Sequence, residues 1–202
     1  MNFRKFLAIL LSAVTLTACA SGGSSNPSGA GDSLDFFKSL NYDDGMSVLL
    51  SVLERYPLQY GATLGTDGAP QLRPIEFKFE EDGVLYFDTV VFYSTYTELL
   101  QYPYIQLCVA DPETESYIRL GGKVNFTKDE DIIDRCFKAS ATLTSQFGNM
   151  REFVIAYYLT DVWMEFSSFA EELPQRTYTL PTELLPAKAG RFSLLLKQPK
   201  VA

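Results

Sequence analysis

Short apolar runs separated by turn residues fill most of the chain, and this pattern predicts a protein made mainly of β-strands. Residues 59–89 predict three strands with turns at residues 66–68 and 81–83, because each turn holds an Asp-Gly pair that gives a hairpin its backbone freedom. The second strand includes IEFKFE, residues 75–80, where apolar and polar residues alternate as in a half-buried strand. The first half of the chain is therefore expected to form hairpins.

Further strands are predicted downstream. YIQLCVAD, residues 104–111, and SYIRLGGKVNFT, residues 116–127, are both strand-like, and the Gly-Gly pair of the second predicts a bulge or the close approach of another segment. Residues 151–169 predict one long strand or two short ones. Within them Trp163 alternates with apolar neighbours and is expected in the core.

Helices are predicted at only three places. Residues 46–55 follow an Asp-Asp pair that can cap a helix, and residues 95–101 end before a proline. Residues 129–143 begin with acidic side chains, which suit the positive end of the helix dipole. Few helices among short, glycine-linked strands predict a mainly β fold, namely a small β-barrel.

The N-terminus predicts export and lipidation. Residues 6–18 form an apolar run of 13 residues, which is too short to cross a bilayer, where about 20 are needed, but suits the core of a signal peptide. The run ends in LTAC, residues 16–19, which resembles the lipobox of bacterial lipoproteins. That resemblance implies a signal peptide over residues 1–18 and acylation, including palmitate, at Cys19. An ordinary secretory signal with a chance cysteine is the alternative.

The segment after Cys19 predicts a tether. Residues 20–33 are small and polar, so they bury too little apolar surface to offset the entropy of ordering them. A doubly acylated anchor holds membranes stably, which implies an extracytoplasmic, membrane-anchored lipoprotein, in the outer membrane if the cell is Gram-negative. The remaining chain divides into one domain, residues 34–180, and a tail, residues 181–202, which is either an extra strand or a loose end.

The charge of the chain restricts its partners. The formal net charge is −8, and it becomes −10 when the signal peptide removes Arg4 and Lys5. An acidic protein of this kind is not expected to bind nucleic acid or an anionic membrane surface. We therefore expect no nucleic-acid partner, and a membrane contact only through the lipid at Cys19.

The chain contains no histidine, which excludes Ser-His-Asp and Cys-His catalysis and the usual zinc sites. No metal is expected, and no catalytic residue is assigned. Cys108 and Cys136 lie in apolar surroundings, where buried free thiols are the usual finding. A disulfide between them is the alternative, since the chain is expected outside the cytoplasm.

One stretch, residues 86–103, begins like a buried strand and ends like a short helix. Such junctions often hold anions, because the first N–H groups of a helix have no partner. Yet residues 79–118 contain no Lys or Arg. The junction therefore has the geometry of an anion site without its charge.

Four sequence blocks resemble the pyridoxamine 5′-phosphate oxidase-like group: GATLGTDGAPQLRPIEF, GVLYFDT, ELLQYPYIQLCV and YIRLGGKV. The resemblance covers roughly residues 46–180. It implies a six- to seven-stranded split β-barrel of the FMN-binding type. Members of the group are usually homodimers with FMN, or occasionally F420 or haem, in a groove between the protomers.

The resemblance also implies a cofactor site. Arg73 matches the arginine that meets the FMN phosphate, while Pro74, Ile75 and Glu76 match the strand whose backbone meets the ring. Thr89 matches a hydroxyl at the end of a strand near the same phosphate.

The chain departs from the group at the start of the next helix. Relatives place one or two Lys or Arg residues there, where this chain has Tyr93, Ser94 and Thr95. A charge-assisted hydrogen bond contributes about 1.5–3 kcal/mol, so phosphate binding is expected to be at least tenfold weaker.

Three interpretations follow from that departure. FMN binds weakly, held by Arg73 and neutral donors; or a less anionic planar ligand such as riboflavin stacks on Phe92 or Tyr93; or those rings close the pocket. The sequence thus predicts a lipid-anchored flavin-binding protein, a candidate flavin-dependent oxidoreductase with an unknown substrate. The alternative is a non-catalytic lipoprotein that uses the barrel to bind a small molecule or a partner.

Overall fold

An antiparallel sheet of eight strands organises residues 30–180, the part of the chain that the computed structural model describes. The strands are β1 Gln59–Leu64, β2 Pro70–Ile75, β3 Phe79–Glu81, β4 Val84–Val90, β5 Tyr104–Asp111, β6 Ser116–Thr127, β7 Val154–Ser167 and β8 Arg176–Thr179. The helices are α1 Ala30–Lys38, α2 Gly45–Arg55, α3 Ser94–Gln101, α4 Glu130–Ala139 and α5 Ala141–Phe147, and a 3₁₀ segment spans Gly148–Phe153.

The strand order is β2-β1-β5-β6-β7-β4-β3, with β8 paired to β7. The two ends of this sheet, β2 and β3, are consecutive in the chain and are joined by residues 76–78 alone. So short a connection brings the ends together, and the sheet curls into a split barrel. The predicted fold class is confirmed. Residues 30–180 contain eight strands, where six or seven were predicted, because β3 and β8 are short additional strands.

The stretch predicted as one alternating strand, residues 75–80, is interrupted. The Phe77 N–H donates to Gln59 Oε1 at 2.7 Å, outside any strand pairing. The Lys78 side chain is only 3% exposed, between the carboxylates of Glu76 and Asp88. Residues 76–78 thus lie outside the assigned strands, although the Lys78 N–H still donates to the Tyr86 carbonyl oxygen of β4 at 3.1 Å.

The predicted turn at residues 81–83 and the predicted bulge are both present. Asp82 and Gly83 have φ angles of 53° and 80°, the left-handed pair of a tight hairpin turn between β3 and β4. The register of β6 against β7 shifts at Gly122. There the extra residue belongs to β7, where Asp161 has a φ of 54°.

The three predicted helices are present with changed bounds. Asp44 caps α2, because its carboxylate accepts the Ser47 N–H at 3.1 Å, and α3 begins at Ser94. The third predicted helix is divided at Ser140, which has an extended backbone. Its hydroxyl accepts the Leu143 N–H at 3.0 Å and so starts α5.

Helix α1 begins at Ala30, inside the segment predicted to be a tether. Ser33 is buried and donates to Asp111 Oδ1 at 3.3 Å, and Phe37 lies in the core. Ordered structure thus starts before residue 34. The predicted signal peptide, Cys19 and the tail at residues 181–202 lie outside the described residues. None of the described helices is long and apolar enough to cross a membrane.

The core lies inside the curled sheet. Phe87 on β4 and Tyr157 on β7 are directly paired and stack with ring centroids 5.4 Å apart. Trp163 was predicted to join this core, and that prediction is wrong: Val162 and Met164 point inward, so Trp163 faces outward and is half-buried. The two described cysteines are free thiols, as expected.

Candidate functional site

A cavity of about 360 Å³ lies at the split of the barrel, where β2 approaches β4, and α5 forms another wall. Its lining is Arg73, Pro74, Ile75, Glu76, Lys78, Asp88, Thr89, Val90, Tyr93, Thr95, Thr142, Leu143, Gln146, Phe147 and Tyr157. The site is thus built where the two ends of the sheet meet.

Seven of the eight cofactor residues expected from the resemblance share this lining: Arg73, Pro74, Ile75, Glu76, Thr89, Tyr93 and Thr95. Ser94, the eighth, is exposed at the first position of α3 and does not line the cavity. The structure therefore brings the predicted residues together. Their contact with a cofactor remains a prediction.

Arg73 is already bound by a carboxylate of the same chain. Its Nη1 donates to Glu98 Oε2 at 2.7 Å and to Thr95 Oγ1 at 2.6 Å. The Thr63 hydroxyl donates to the same Glu98 oxygen at 2.6 Å. The Glu98 side chain is 5% exposed and that of Arg73 is 21% exposed. The guanidinium expected to meet a phosphate is thus paired internally.

The secondary structure explains this arrangement. Thr95 and Glu98 are three residues apart, so they share the buried face of α3. Arg73 pairs with Gly61 in the β1–β2 register, which places it diagonal to Thr63 on one face. Burial raises the pKa of Glu98, but the bonds from Arg73 and Thr63 outweigh this effect and hold the pKa below its usual value.

The second cation of the cavity is paired as well. Lys78 Nζ lies 2.6 Å from Glu76 Oε2, which also accepts the Ser140 hydroxyl at 2.8 Å. Asp88 Oδ2 lies 3.1 Å from the same ammonium, without a well-aligned hydrogen bond. Burial raises the pKa of Asp88, and repulsion from Glu76 adds to the rise, whereas Lys78 opposes it.

Two buried polar atoms of the cavity wall have no hydrogen-bond partner among the described residues. They are Tyr157 Oη and Asp88 Oδ2, although the Asp88 oxygen forms an ion pair with the Lys78 ammonium at 3.1 Å. Tyr157 is 1% exposed, and burial raises the pKa of its hydroxyl, as does the nearby charge of Asp88. Unpaired buried polar groups are uncommon in folded proteins and require an explanation, such as a bound ligand or water.

Aromatic side chains form the rim of the cavity. Tyr93 and Phe147, both in the lining, have ring centroids 6.0 Å apart. Phe92 lies beside them, with its centroid 5.4 Å from Tyr93 and 5.8 Å from Phe153. Phe92 and Tyr93 are about half exposed. Tyr93 therefore offers an exposed aromatic ring in the lining itself, with Phe92 as its neighbour.

No protein-family model matches the sequence, and neither does any curated protein. Several solved structures share its fold. A NimC/NimA family protein from Clostridium acetobutylicum, 21% identical, superposes with a TM-score of 0.60 over 72% of this chain and 94% of its own. A second protein of that organism is related to general stress protein 26 of B. subtilis, of the pyridoxinephosphate oxidase family. It is 12% identical, with a TM-score of 0.54 over 65% of this chain and 92% of its own.

A haem-binding protein from Mycobacterium smegmatis also superposes, with a TM-score of 0.51 and 13% identity, over 63% of this chain and 55% of its own. The chain has the FMN-binding split-barrel fold. The resemblance read from the four sequence blocks is thus confirmed at the level of the fold.

The FMN group fits this split barrel only in part. The ring finds aromatic side chains at the rim and the neutral hydroxyls of Thr89, Thr95 and Thr142 in the wall. The phosphate does not fit, because both cations of the described lining, Arg73 and Lys78, already bind carboxylates. A phosphate would meet a neutralised cation at Arg73 and excess negative charge at Lys78, which two carboxylates surround.

Sequence reasoning missed eight of the fifteen lining residues, among them Lys78, Asp88 and Tyr157, and it also missed Glu98, which binds Arg73 without lining the cavity. Glu98 had a detectable signal, since it shares a helix face with the buried Leu99, where a carboxylate requires a buried partner. Asp88 had a weaker one, as the only charged residue of the buried strand VLYFDTV. Nothing in the sequence pattern distinguished Tyr157 from an ordinary core aromatic.

Proposed function

We propose that the protein is a lipid-anchored split-barrel protein that binds a flavin-type ring at the seam between β2 and β4. The ring is held by the aromatic rim and neutral hydroxyls, with little contribution from a phosphate. A flavin, when bound, supplies redox chemistry of its own, so a flavin-dependent oxidoreductase falls within this proposal. No described residue is assigned as a catalytic acid or base.

The observation that carries the proposal is the unpaired Tyr157 hydroxyl in the wall of the cavity. A buried phenol without a hydrogen-bond acceptor costs free energy. A ring carbonyl of a flavin would accept its hydrogen bond and remove that cost. The fold supports the same conclusion, since it is the FMN-binding type.

The partners are part of the proposal. The sequence LTAC predicts the lipid at Cys19, and replacing Cys19 with Ala should release the protein from membranes or stall its processing. A variant that is processed and remains in the membrane like the wild type would remove the anchor from the proposal.

A homodimer is proposed from one apolar sheet face. Tyr60 and Leu64 on β1, Leu72 on β2 and Tyr104 on β5 point outward, and Leu72 and Tyr104 are 69% and 63% exposed. The registers of β1 with β2 and of β1 with β5 place them on the same surface, and a second copy would cover it. Leu72→Lys should then shift the mass measured by light scattering from dimer to monomer. A wild-type monomer at micromolar concentration would contradict the dimer.

A second candidate is a non-catalytic binding lipoprotein. The pairing of both cavity cations favours it, because the ligand would then be neutral or cationic and need not be a redox cofactor. Binding of riboflavin separates the two candidates.

The test compares two adjacent tyrosines in the full chain, solubilised in a nonionic detergent. Riboflavin is titrated by fluorescence quenching against the wild type, Tyr157→Phe and Tyr158→Phe. Tyr157→Phe should weaken binding about threefold to tenfold, the effect of one hydrogen bond of roughly 1 kcal/mol. Tyr158 lies outside the cavity lining, so its variant should match the wild type. No riboflavin binding by the wild type would reject the flavin proposal and leave the second candidate.

A further inference from the structure

Glu98 supplies Arg73 with the negative charge that the anionic group of a ligand would otherwise provide. Its Oε2 lies 2.7 Å from the Arg73 guanidinium, and it is fixed there by the Thr63 hydroxyl at 2.6 Å. The side chain is almost completely buried. A carboxylate held by two donors at these distances is a permanent counter-ion rather than a passing surface contact.

Arg73 nevertheless lines the cavity and keeps unused hydrogen-bond donors. Its side chain remains partly exposed, and both of its hydrogen bonds come from the single atom Nη1. The other guanidinium N–H groups have no hydrogen bond to a described residue. The hydrogen-bonding capacity for an anion is thus present, and what the site lacks is uncompensated positive charge.

We infer that Glu98 is a specificity-determining residue, a built-in anion that neutralises Arg73 and makes the pocket select unphosphorylated ligands. A phosphate placed against the free edge of Arg73 would lie within a few ångströms of the Glu98 charge, and like charges at that separation repel. Glu76 and Asp88, around the second cation, increase the repulsion. This inference rests on the proposed ligand pocket and narrows its ligand class.

Glu98→Gln keeps the shape of the side chain and removes its charge. The amide oxygen can still accept from Thr63 and Arg73, while the guanidinium becomes an uncompensated cation at the cavity wall. Glu165→Gln is the matched control, because Glu165 forms an Arg–Glu pair of 2.6 Å with Arg119 on the outer face of the sheet, away from the cavity. Both variants change the net charge by the same amount.

Riboflavin, FMN and inorganic phosphate are the probes, used on the full chain in a nonionic detergent. The wild type and Glu165→Gln should bind FMN no more tightly than riboflavin, and phosphate should not raise their melting temperature. Glu98→Gln should bind FMN at least tenfold more tightly than riboflavin, about 1.4 kcal/mol, and phosphate should raise its melting temperature. Its riboflavin affinity should change less than threefold, since riboflavin lacks the phosphate.

Two results would overturn the inference. One is a Glu98→Gln protein with the FMN-to-riboflavin ratio of the wild type. The other needs no variant and therefore holds even if Glu98→Gln fails to fold: a wild-type protein that binds FMN more than tenfold better than riboflavin, or that phosphate protects against melting.

The probes also separate this inference from the proposed function. If no flavin binds but phosphate protects only Glu98→Gln, the role of Glu98 stands and the flavin proposal falls. If riboflavin binds and the ratio is the same in both variants, the flavin proposal stands and the role of Glu98 falls. If no flavin binds and phosphate protects none of the proteins, both fall.

Discussion

Two Arg–Glu pairs of nearly equal length show how much the surroundings of an ion pair matter. Arg73 lies 2.7 Å from Glu98, and Arg119 lies 2.6 Å from Glu165. The second pair bridges β6 and β7 on the outer face, where the side chains of Arg119 and Glu165 are 50% and 30% exposed. Exposed pairs contribute about 0–1 kcal/mol, whereas losing one partner of a buried pair costs about 3–5 kcal/mol. From the distances alone, the two pairs would be expected to contribute equally to stability.

Their supporting contacts differ too. Thr63 and Thr95 extend the inner pair into a network, so removing one member leaves several groups without partners. The outer pair has a single packing neighbour of note: the Arg119 guanidinium lies 5.4 Å from the ring centroid of Trp163. The inner pair is therefore expected to define local structure and ligand choice, and the outer pair is expected to matter little for either.

Replacing each arginine in turn with alanine should give the largest difference in stability between the two pairs. Arg73→Ala leaves Glu98 buried without its cation, and we expect a loss of about 2–4 kcal/mol in the free energy of unfolding, below the full penalty because Arg73 is partly exposed. Arg119→Ala leaves only an exposed carboxylate, so we expect a loss of less than about 1 kcal/mol. Urea denaturation followed by circular dichroism measures both. Equal losses of free energy in the two variants would contradict the conclusion that burial makes the inner pair the stronger one.

This contrast also marks the limit of sequence reasoning about the site. Arg73 was found because its sequence block resembles a known family, and the strands around it follow from Asp-Gly turns and alternation. Glu98 was missed because its partner lies 25 residues away, in a strand whose register against β1 the sequence does not specify. A carboxylate on the buried face of a short helix is the signal that reasoning from pattern should have weighed.

The fold was predictable wherever local chemistry determines it. Strands β5 and β6 have the predicted bounds, and the hairpin turn at Asp82 forms as expected. The errors lie where tertiary contacts override local pattern. The predicted strand over residues 75–80 is interrupted where the Phe77 N–H donates to the distant Gln59 side chain. Ser140 divides a helix because its hydroxyl binds both the Leu143 N–H and Glu76. Trp163 lies outside for a similar reason. Alternation shows that neighbouring residues point to opposite faces of a strand, but only packing decides which face is buried.

Lowering the pH should reveal how much the Glu98 charge contributes to the free energy of unfolding. The pKa of this group lies below its usual value of 4.5 in the folded chain. A lowered folded pKa means that the stabilisation is fully present above the unfolded value and is lost as pH falls through the folded value. Between pH 7 and pH 3, the free energy of unfolding should therefore fall more steeply in the wild type than in Glu98→Gln.

Glu165→Gln provides the control for this acid series, and it should keep the steep slope of the wild type. Thermal melts at half-unit pH steps would measure all three proteins. Parallel curves for the wild type and Glu98→Gln would show that Glu98 contributes no pH-dependent stability, which would contradict the assignment of Arg73 as its strong partner.

Salt should produce the smallest difference, and it acts on the outer pair. At 1 M salt the Debye length falls to about 3 Å, so dissolved ions weaken an exposed pair but reach a buried pair poorly. A double-mutant cycle with Arg119→Ala and Glu165→Gln should give a coupling of about 0.2–1 kcal/mol at low salt that loses more than half of its value at 1 M. The corresponding cycle with Arg73→Ala and Glu98→Gln should keep more than half of its low-salt coupling, because the Glu98 carboxylate is shielded from ions by α3 and β1. If both couplings vanished together, Arg73 and Glu98 would be a solvent-accessible pair, and the pocket would have an available cation after all.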